Sequence, residues 1–180
     1  MRPASPDDVP ALTALIGRRA AWMRERKLED WEGWSSSAAL MAARAARPRS
    51  PGWVLEHIGG AVVGCTTVSD RSLDAGWTVA EQGEAALYLN TTVTDPAWRR
   101  FRPGALLAAW TLHRAATTGR SWVRRGCTSD GLLRYYRDVQ GFALVRTVRG
   151  EHTVTHLLAR QATASDWSDR QERGVGPRDA

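Results

Sequence analysis

The sequence predicts a single α/β (α+β) domain built on a mixed sheet. Three features predict it. Apolar residues recur at helical spacing near the N-terminus, β-type runs take over from Trp53, and strand-type and helix-type segments alternate after Leu87. The order along the chain is helix, helix, hairpin, strand, helix, strand, helix, hairpin. A chain of 180 residues is long enough for one well-buried domain, and two would be cramped. A hydrophobic fraction of 43% with nine tryptophans argues for a folded core rather than disorder.

Each element has a local reason. Ser5 is placed to cap a helix, with Pro6 in its first turn and Asp7 and Asp8 complementing the positive end. Leu12, Leu15, Ile16 and Trp22 then form one apolar face. A second helix is expected over about Ser35 to Arg47, begun by a serine run and stopped by Pro48. Between them, LEDWEGW reads as irregular. From Trp53, WVLEHIGGAVVGCTTV is two β-type runs joined by Gly59-Gly60, a two-residue hairpin signal. SDRSLDAG is a loop, and the stretch after it fits no single period. Leu87 to Val93 is rich in β-branched and aromatic residues, and Pro96 stops that strand. A helix runs through Gly104 to about Thr117 and closes at Gly119. SWVRRGCTS reads as a strand, DGLLRYYRDV as a short helix ended by Gly141, and FALVRTV with HTVTHLLAR as a second hairpin. QATASDWSDRQERGVGPRDA has no period. The domain is therefore expected over 1–160, with a flexible tail over 161–180.

The net charge is +6, and Lys27 is the only lysine. Residues 96–129 hold seven arginines and no acid, a distribution that suits a polyanionic ligand, either a nucleotide cofactor or RNA. A solvated helix face is the plain alternative. No run approaches the roughly 18 apolar residues of a membrane span, and MRPASPDD lacks the apolar segment of a signal peptide. Two cysteines, Cys65 and Cys127, allow at most one disulfide, show no metal spacing and have no His/Asp pattern for nucleophilic catalysis. The expectation is a cytoplasmic protein with reduced thiols, no metal and no membrane partner.

WRRFRPGALLAAW, residues 98–110, leads arginines and a glycine into an apolar helix. A helix N-terminus leaves backbone N–H groups unpaired and carries partial positive charge, so phosphate docks there. Arg102 adds a cation where a small residue would let the backbone approach. Pro103 removes one donor at a first-turn position, where that N–H is otherwise spare.

In this order of elements the chain resembles the GNAT N-acetyltransferase superfamily over roughly residues 1–160. The family's phosphate motif is Q/R-x-x-G-x-G/A, commonly preceded by P-x-(Y/W). Pro96 and Trp98 precede Arg99-Arg100-Phe101-Arg102-Pro103-Gly104; Arg99 and Gly104 match the motif's ends, and Arg102 replaces its first glycine. A second family pattern is N-x-x-A-x-x-x-Y followed by G-F. Ser129 stands in for the Asn, Leu132 for the Ala and Tyr136 for the Tyr, ahead of Gly141-Phe142, with Tyr135 the alternative because the register is open by one residue.

The resemblance implies a central mixed, mostly antiparallel twisted sheet flanked by helices. It also implies an N-acyltransferase that moves an acetyl or related acyl group from acetyl-CoA, or another acyl-CoA, to the primary amine of a small molecule by direct attack. By the same resemblance Arg99, Arg100, Phe101, Arg102, Gly104 and Ala105, with Ser129, hold the cofactor. Thr92, Val93 and Thr94 offer backbone to its amide arm and polarise the acyl carbonyl. Tyr136 or Tyr135 protonates the departing thiolate; packing against the sheet is the alternative for at least one of them. Glu84, Glu81, Asp95 and His57 lie near strand ends as candidate general bases. Glu84 is preferred because it opens the strand lining the acceptor side, and a water chain is the rival. Trp22, Trp31 and Trp34 fall where the family roofs its acceptor pocket, or else make core. His113, His152 and His156 are expected at surface or packing positions.

Two further functional readings stay open. Arg102-Pro103 could mark a donor other than free CoA, such as an aminoacyl-tRNA or a carrier-protein thioester. The chain could also be a catalytically idle binding domain of this fold. Monomer and homodimer are both compatible with the sequence.

Overall fold

The computed structural model describes residues 1–48, 52–72, 76–151, 153–164 and 167. In chain order its elements are β1 (Arg2–Pro3), α1 (Val9–Glu25), α2 (Trp31–Ala45), β2 (Gly52–Glu56), β3 (Val62–Ser69), α3 (Val79–Gly83), β4 (Ala86–Thr94), α4 (Pro103–Thr117), β5 (Trp122–Cys127), α5 (Asp130–Asp138), β6 (Ala143–Arg149) and β7 (Val154–Gln161). Short 3-10 turns at Pro6–Asp8 and Pro96–Phe101 precede α1 and α4. The sheet has seven strands in the order β1-β2-β3-β4-β5-β7-β6. β4 and β5 pair in parallel; β1/β2, β2/β3, β5/β7 and β6/β7 pair antiparallel. The chain divides into two compact units, residues 1–68 with 91–107, and 69–90 with 108–180.

In the first unit, α1 and α2 bury Leu12, Leu15, Ile16, Ala38 and Ala42 against Val54, Cys65 and Val93. The spacing of the α1 residues is that of one helix face. Ser5 caps the 3-10 turn rather than the α-helix. Its N–H and hydroxyl both donate to the Asp8 carboxylate, at 2.7 and 3.1 Å. Arg2 grips the same carboxylate with two N–H groups at 2.7 and 2.8 Å, which holds the Asp8 carboxyl down at about 2. Arg2 and Pro3 also form β1 against β2, a strand too short to leave a period in sequence. α2 begins at Trp31, earlier than the serine run suggested, because Asp30 takes a left-handed conformation (φ 63°) that turns the chain out of the α1–α2 connection. Gly52 meets the end of α2 so closely that a Cβ there would fall on the Ala45 carbonyl. The β2–β3 connection is longer than a two-residue turn. Glu56 pairs with Val62, and Gly60 alone of the two glycines has positive φ (84°), whereas a type I′ turn needs it at both and a type II′ turn at the first.

In the second unit, Trp77, Ala86, Tyr88, Leu157 and Ala159 form the apolar cluster. The stretch that fits no period contains α3, held by a reciprocal cap: Thr78 N–H donates to Glu81 Oε2 at 2.7 Å, and Glu81 N–H to Thr78 Oγ1 at 3.2 Å. β4 and β5 pair at Ala86↔Trp122, Leu87↔Val123 and Tyr88↔Arg124. Part of the expected tail is held: Gln161 ends β7, Ala162 N–H donates to Ser121 O at 2.9 Å, and Ala164 O lies 3.0 Å from His113 Nδ1. Apart from 161–164 and Trp167 the tail lies outside the described residues, as does His152. Among the described residues no helix is long and apolar enough to cross a membrane.

Candidate active site

The first unit carries the end of β4 and the turn into α4. Thr92 Oγ1 hydrogen bonds Thr66 Oγ1 at 2.9 Å, Val93 is buried, and Asp95 N–H donates to Val63 O at 2.9 Å. Asp95 then caps the 3-10 turn. Its Oδ1 accepts from Ala97 N–H at 3.0 Å and its Oδ2 from Arg18 Nε at 2.9 Å. With both oxygens engaged and only 5% of the residue exposed, Asp95 is an anchor for the turn rather than a proton acceptor. Trp98 packs toward Leu55, Val63 and Leu107, with ring centroids 4.6 Å from His57 and 5.4 Å from Phe101. His57 Nδ1 in turn accepts from Gly59 N–H at 3.2 Å. Arg100 lies over the Phe101 ring, 4.8 Å from its centroid. The aromatic residues thus fix the turn from inside, and Arg99, Arg100 and Arg102 are left exposed.

Arg102 adopts φ 50°, ψ 52°, the left-handed region. A glycine would adopt this conformation without the crowding that a Cβ brings. Pro103 has no N–H, and the Arg102 carbonyl accepts from Ala105 at 2.8 Å and from Leu106 at 3.2 Å. Ala105 is buried and Gly104 half-buried. With these amides committed, the charge at the start of α4 is carried chiefly by side chains. Cys65, in the same unit, is buried, which pushes its thiol up to about 12 and removes it as a nucleophile at neutral pH.

The N-terminal tryptophans have three different settings. Trp22 lies between Arg19 and Arg26, whose guanidinium carbons are 4.3 and 4.4 Å from its ring centroids. Trp34 packs on the α1–α2 core. Trp31 lines an open concavity at the α1–α2 connection together with Arg24, Lys27, Leu28 and Glu32.

The second unit holds Glu84, Ser129, Tyr135 and Tyr136. Glu84 is exposed, and its carboxylate pairs with Arg124. Arg124 is 2% exposed; it also donates to the Glu81 carbonyl and, at 3.2 Å, to Tyr88 Oη, with its guanidinium 4.7 Å from the Trp77 ring centroid. Glu81 pairs with Arg146 at 2.5 Å, and the Thr78 N–H holds its carboxyl below the usual range, with Arg146 and Arg124 adding to the effect.

On the opposite face of β5, Arg125 is 3% exposed and stacks 3.3 Å from the Tyr136 ring centroid. These two arginines correct the reading of 96–129 as one polyanion-facing segment. Strand alternation sends them to opposite faces, and both are buried. Tyr136 is the buried residue of α5, whereas Tyr135 is half-buried, its ring 6.0 Å away. Ser129 is exposed at the N-cap of α5. The sequence reading missed Arg18, and it placed Arg124 and Arg125 in a ligand-facing cluster rather than in the core. For the β5 pair a signal existed: two consecutive charges inside SWVRRGC must each lie on one face of the strand.

No family model matches the sequence, and no curated protein matches it. Solved structures do match in fold. An acetyltransferase of the GNAT family from Listeria monocytogenes shares 14% identity at a TM-score of 0.65, over 89% of this chain and 92% of that one. An aminoglycoside 6'-acetyltransferase type Ii shares 13% identity at a TM-score of 0.65, over 91% and 95%. A GNAT-family acetyltransferase from Bacillus cereus shares 12% at 0.58, over 89% and 94%. The chain has the fold of the GNAT acetyltransferases.

Proposed function

We propose that this protein is an N-acyltransferase that moves an acetyl or related acyl group from acyl-CoA to a primary amine of a small molecule. The observation that carries the reading is the turn before α4. Three exposed guanidinium groups, Arg99, Arg100 and Arg102, crowd a helix N-terminus that Trp98, Phe101 and Asp95 hold rigid. Their chemistry fits a pyrophosphate, with side-chain charge taking over part of what glycine amides do elsewhere. The aminoglycoside enzyme among the resembling structures favours a small-molecule acceptor.

Acyl-CoA supplies the thioester. The amine nitrogen forms a bond to the acyl carbon, and the carbon–sulfur bond breaks with its electron pair going to sulfur. Tyr136 Oη–H gives its proton to that sulfur, the amine proton leaves to Glu84 or to water, and the phenolate regains a proton from there, so protons balance. In the same unit as the arginine turn, the backbone at Thr92–Thr94 offers N–H groups to the amide arm of the donor.

Pro103 and the committed Ala105 amide favour one second reading, a donor held mainly by charge, such as an aminoacyl-tRNA. Calorimetric titration with acetyl-CoA near physiological ionic strength separates the two. Micromolar binding that weakens at least tenfold in Arg99→Ala/Arg102→Ala supports free CoA. Absence of binding by the wild type refutes it and directs the search to salt-sensitive RNA binding.

A further inference from the structure

Arg125 is built into the hydrophobic side of β5 in an arrangement that reaches both ends of the Tyr136…Phe142 pattern. Its guanidinium carbon is 3.3 Å from the Tyr136 ring centroid and 5.7 Å from that of Phe142. The Phe142 N–H donates to the Tyr136 carbonyl at 3.0 Å, so the two rings are tied through the backbone as well. Arg125 Nη1 donates to Gln140 Oε1 at 2.8 Å, and the Gln140 carbonyl accepts from Arg160 Nη1 at 2.6 Å. Tyr136 and Gln140 are 8% and 4% exposed, so the cation is held in a fixed plane away from water.

A phosphate-facing role is closed to an arginine in this position, and generic packing would be served by an apolar side chain. A guanidinium flat on a phenol ring does something an apolar residue cannot. Its charge acts on the ring face through a low-dielectric gap and favours the state in which the phenol oxygen is negative.

We propose that Arg125 is a positioning residue for Tyr136, fixing the ring and stabilising the phenolate that remains after Tyr136 gives up its proton. The role rests on the acyltransferase reading above. When the C–S bond breaks, the electron pair goes to sulfur, the Tyr136 proton follows it, and the negative charge is left on Oη over Arg125. The phenol then regains a proton from the ammonium formed at the attacking amine, by way of solvent.

The other charged groups around this element are arranged so that the test remains readable. Arg160 on β7 donates to the Gln140 carbonyl. Asp130 at the start of α5 is paired with His156 of β7 at 3.3 Å. Arg134, Arg137 and Asp138 on α5 itself are exposed.

The chain has three tyrosines, so the phenolate absorbance of Tyr136 is obtained by subtracting Tyr136→Phe from each partner protein. In Arg125→Gln the Tyr136 midpoint is expected to rise by about one pH unit, and kcat for acetyl transfer to fall about tenfold with KM for acetyl-CoA nearly unchanged. Arg125→Lys keeps the charge and should hold most of the midpoint, which guards against a Gln variant that folds poorly. Phe142→Leu removes a ring but no charge and should leave the midpoint in place. An unchanged midpoint in Arg125→Gln, or an equal shift in Phe142→Leu, overturns the proposal. A shifted midpoint in a protein that transfers no acetyl group overturns the acyltransferase reading instead, while the coupling of Arg125 to Tyr136 stands.

Discussion

Arg102 sets a test in which alanine and glycine exchange their usual order. In a helix interior glycine is about 1 kcal/mol worse than alanine. At Arg102, with φ 50° and ψ 52°, any residue bearing a Cβ crowds its carbonyl, at a cost of about 1–2 kcal/mol. Glycine escapes that cost and gives back about 0.5–1 kcal/mol through the greater freedom of its unfolded chain. Because the arginine side chain is exposed, its removal is common to both variants and cancels in their comparison. Arg102→Gly should therefore be more stable than Arg102→Ala by about 1 kcal/mol, or about 2–4 °C in Tm for a chain of this size. Urea denaturation of both variants, with m-values checked for equality, measures the difference. An alanine variant as stable as the glycine one refutes the left-handed assignment and the account of why the motif glycine could be replaced. Both variants lose one cation, so both should bind acetyl-CoA several-fold more weakly than the wild type.

Two further outcomes follow from the ion pairs. Asp8 titrates at about 2 in the folded protein, below its ordinary value, so its contribution is present above about pH 4 and is lost as the pH falls toward 2. Arg2 is partly exposed, which discounts the contribution to about 1–2 kcal/mol. Asp8→Asn should cost that much at pH 7 and nothing near pH 2, a trend that denaturant midpoints across the range would check. Arg124→Gln should destabilise by about 2–3 kcal/mol, because Tyr88 Oη and the Glu81 carbonyl lose their buried donor. The loss should exceed that of Glu84→Gln, whose side chain is 47% exposed; equal losses in thermal unfolding would deny Arg124 its place as the hub.

Local chemistry made much of the chain legible. The face formed by Leu12, Leu15 and Ile16, the stops at Gly119 and Gly141, and the strand ended by Pro96 all depend on a few neighbouring residues, and the structure has them. The turn from Trp98 to Gly104 was readable for the same reason: a strand, a proline stop and an apolar helix follow one another within one stretch of chain. β1 was not readable, since two residues carry no period, and neither was the early start of α2 at a left-handed Asp30.

What the sequence could not divide was its arginines. Arg99, Arg100 and Arg102 are exposed at the turn, whereas Arg124 and Arg125 are buried on opposite faces of β5, though all five lie in one acid-free segment. Exposure depends on partners remote in sequence. Trp77, Tyr88 and Glu84 enclose one guanidinium, and Tyr136, Gln140 and Phe142 enclose the other. A strand's period assigns each arginine to a face, but only the packed fold decides what covers that face, and with it whether a cation meets a ligand or an aromatic ring.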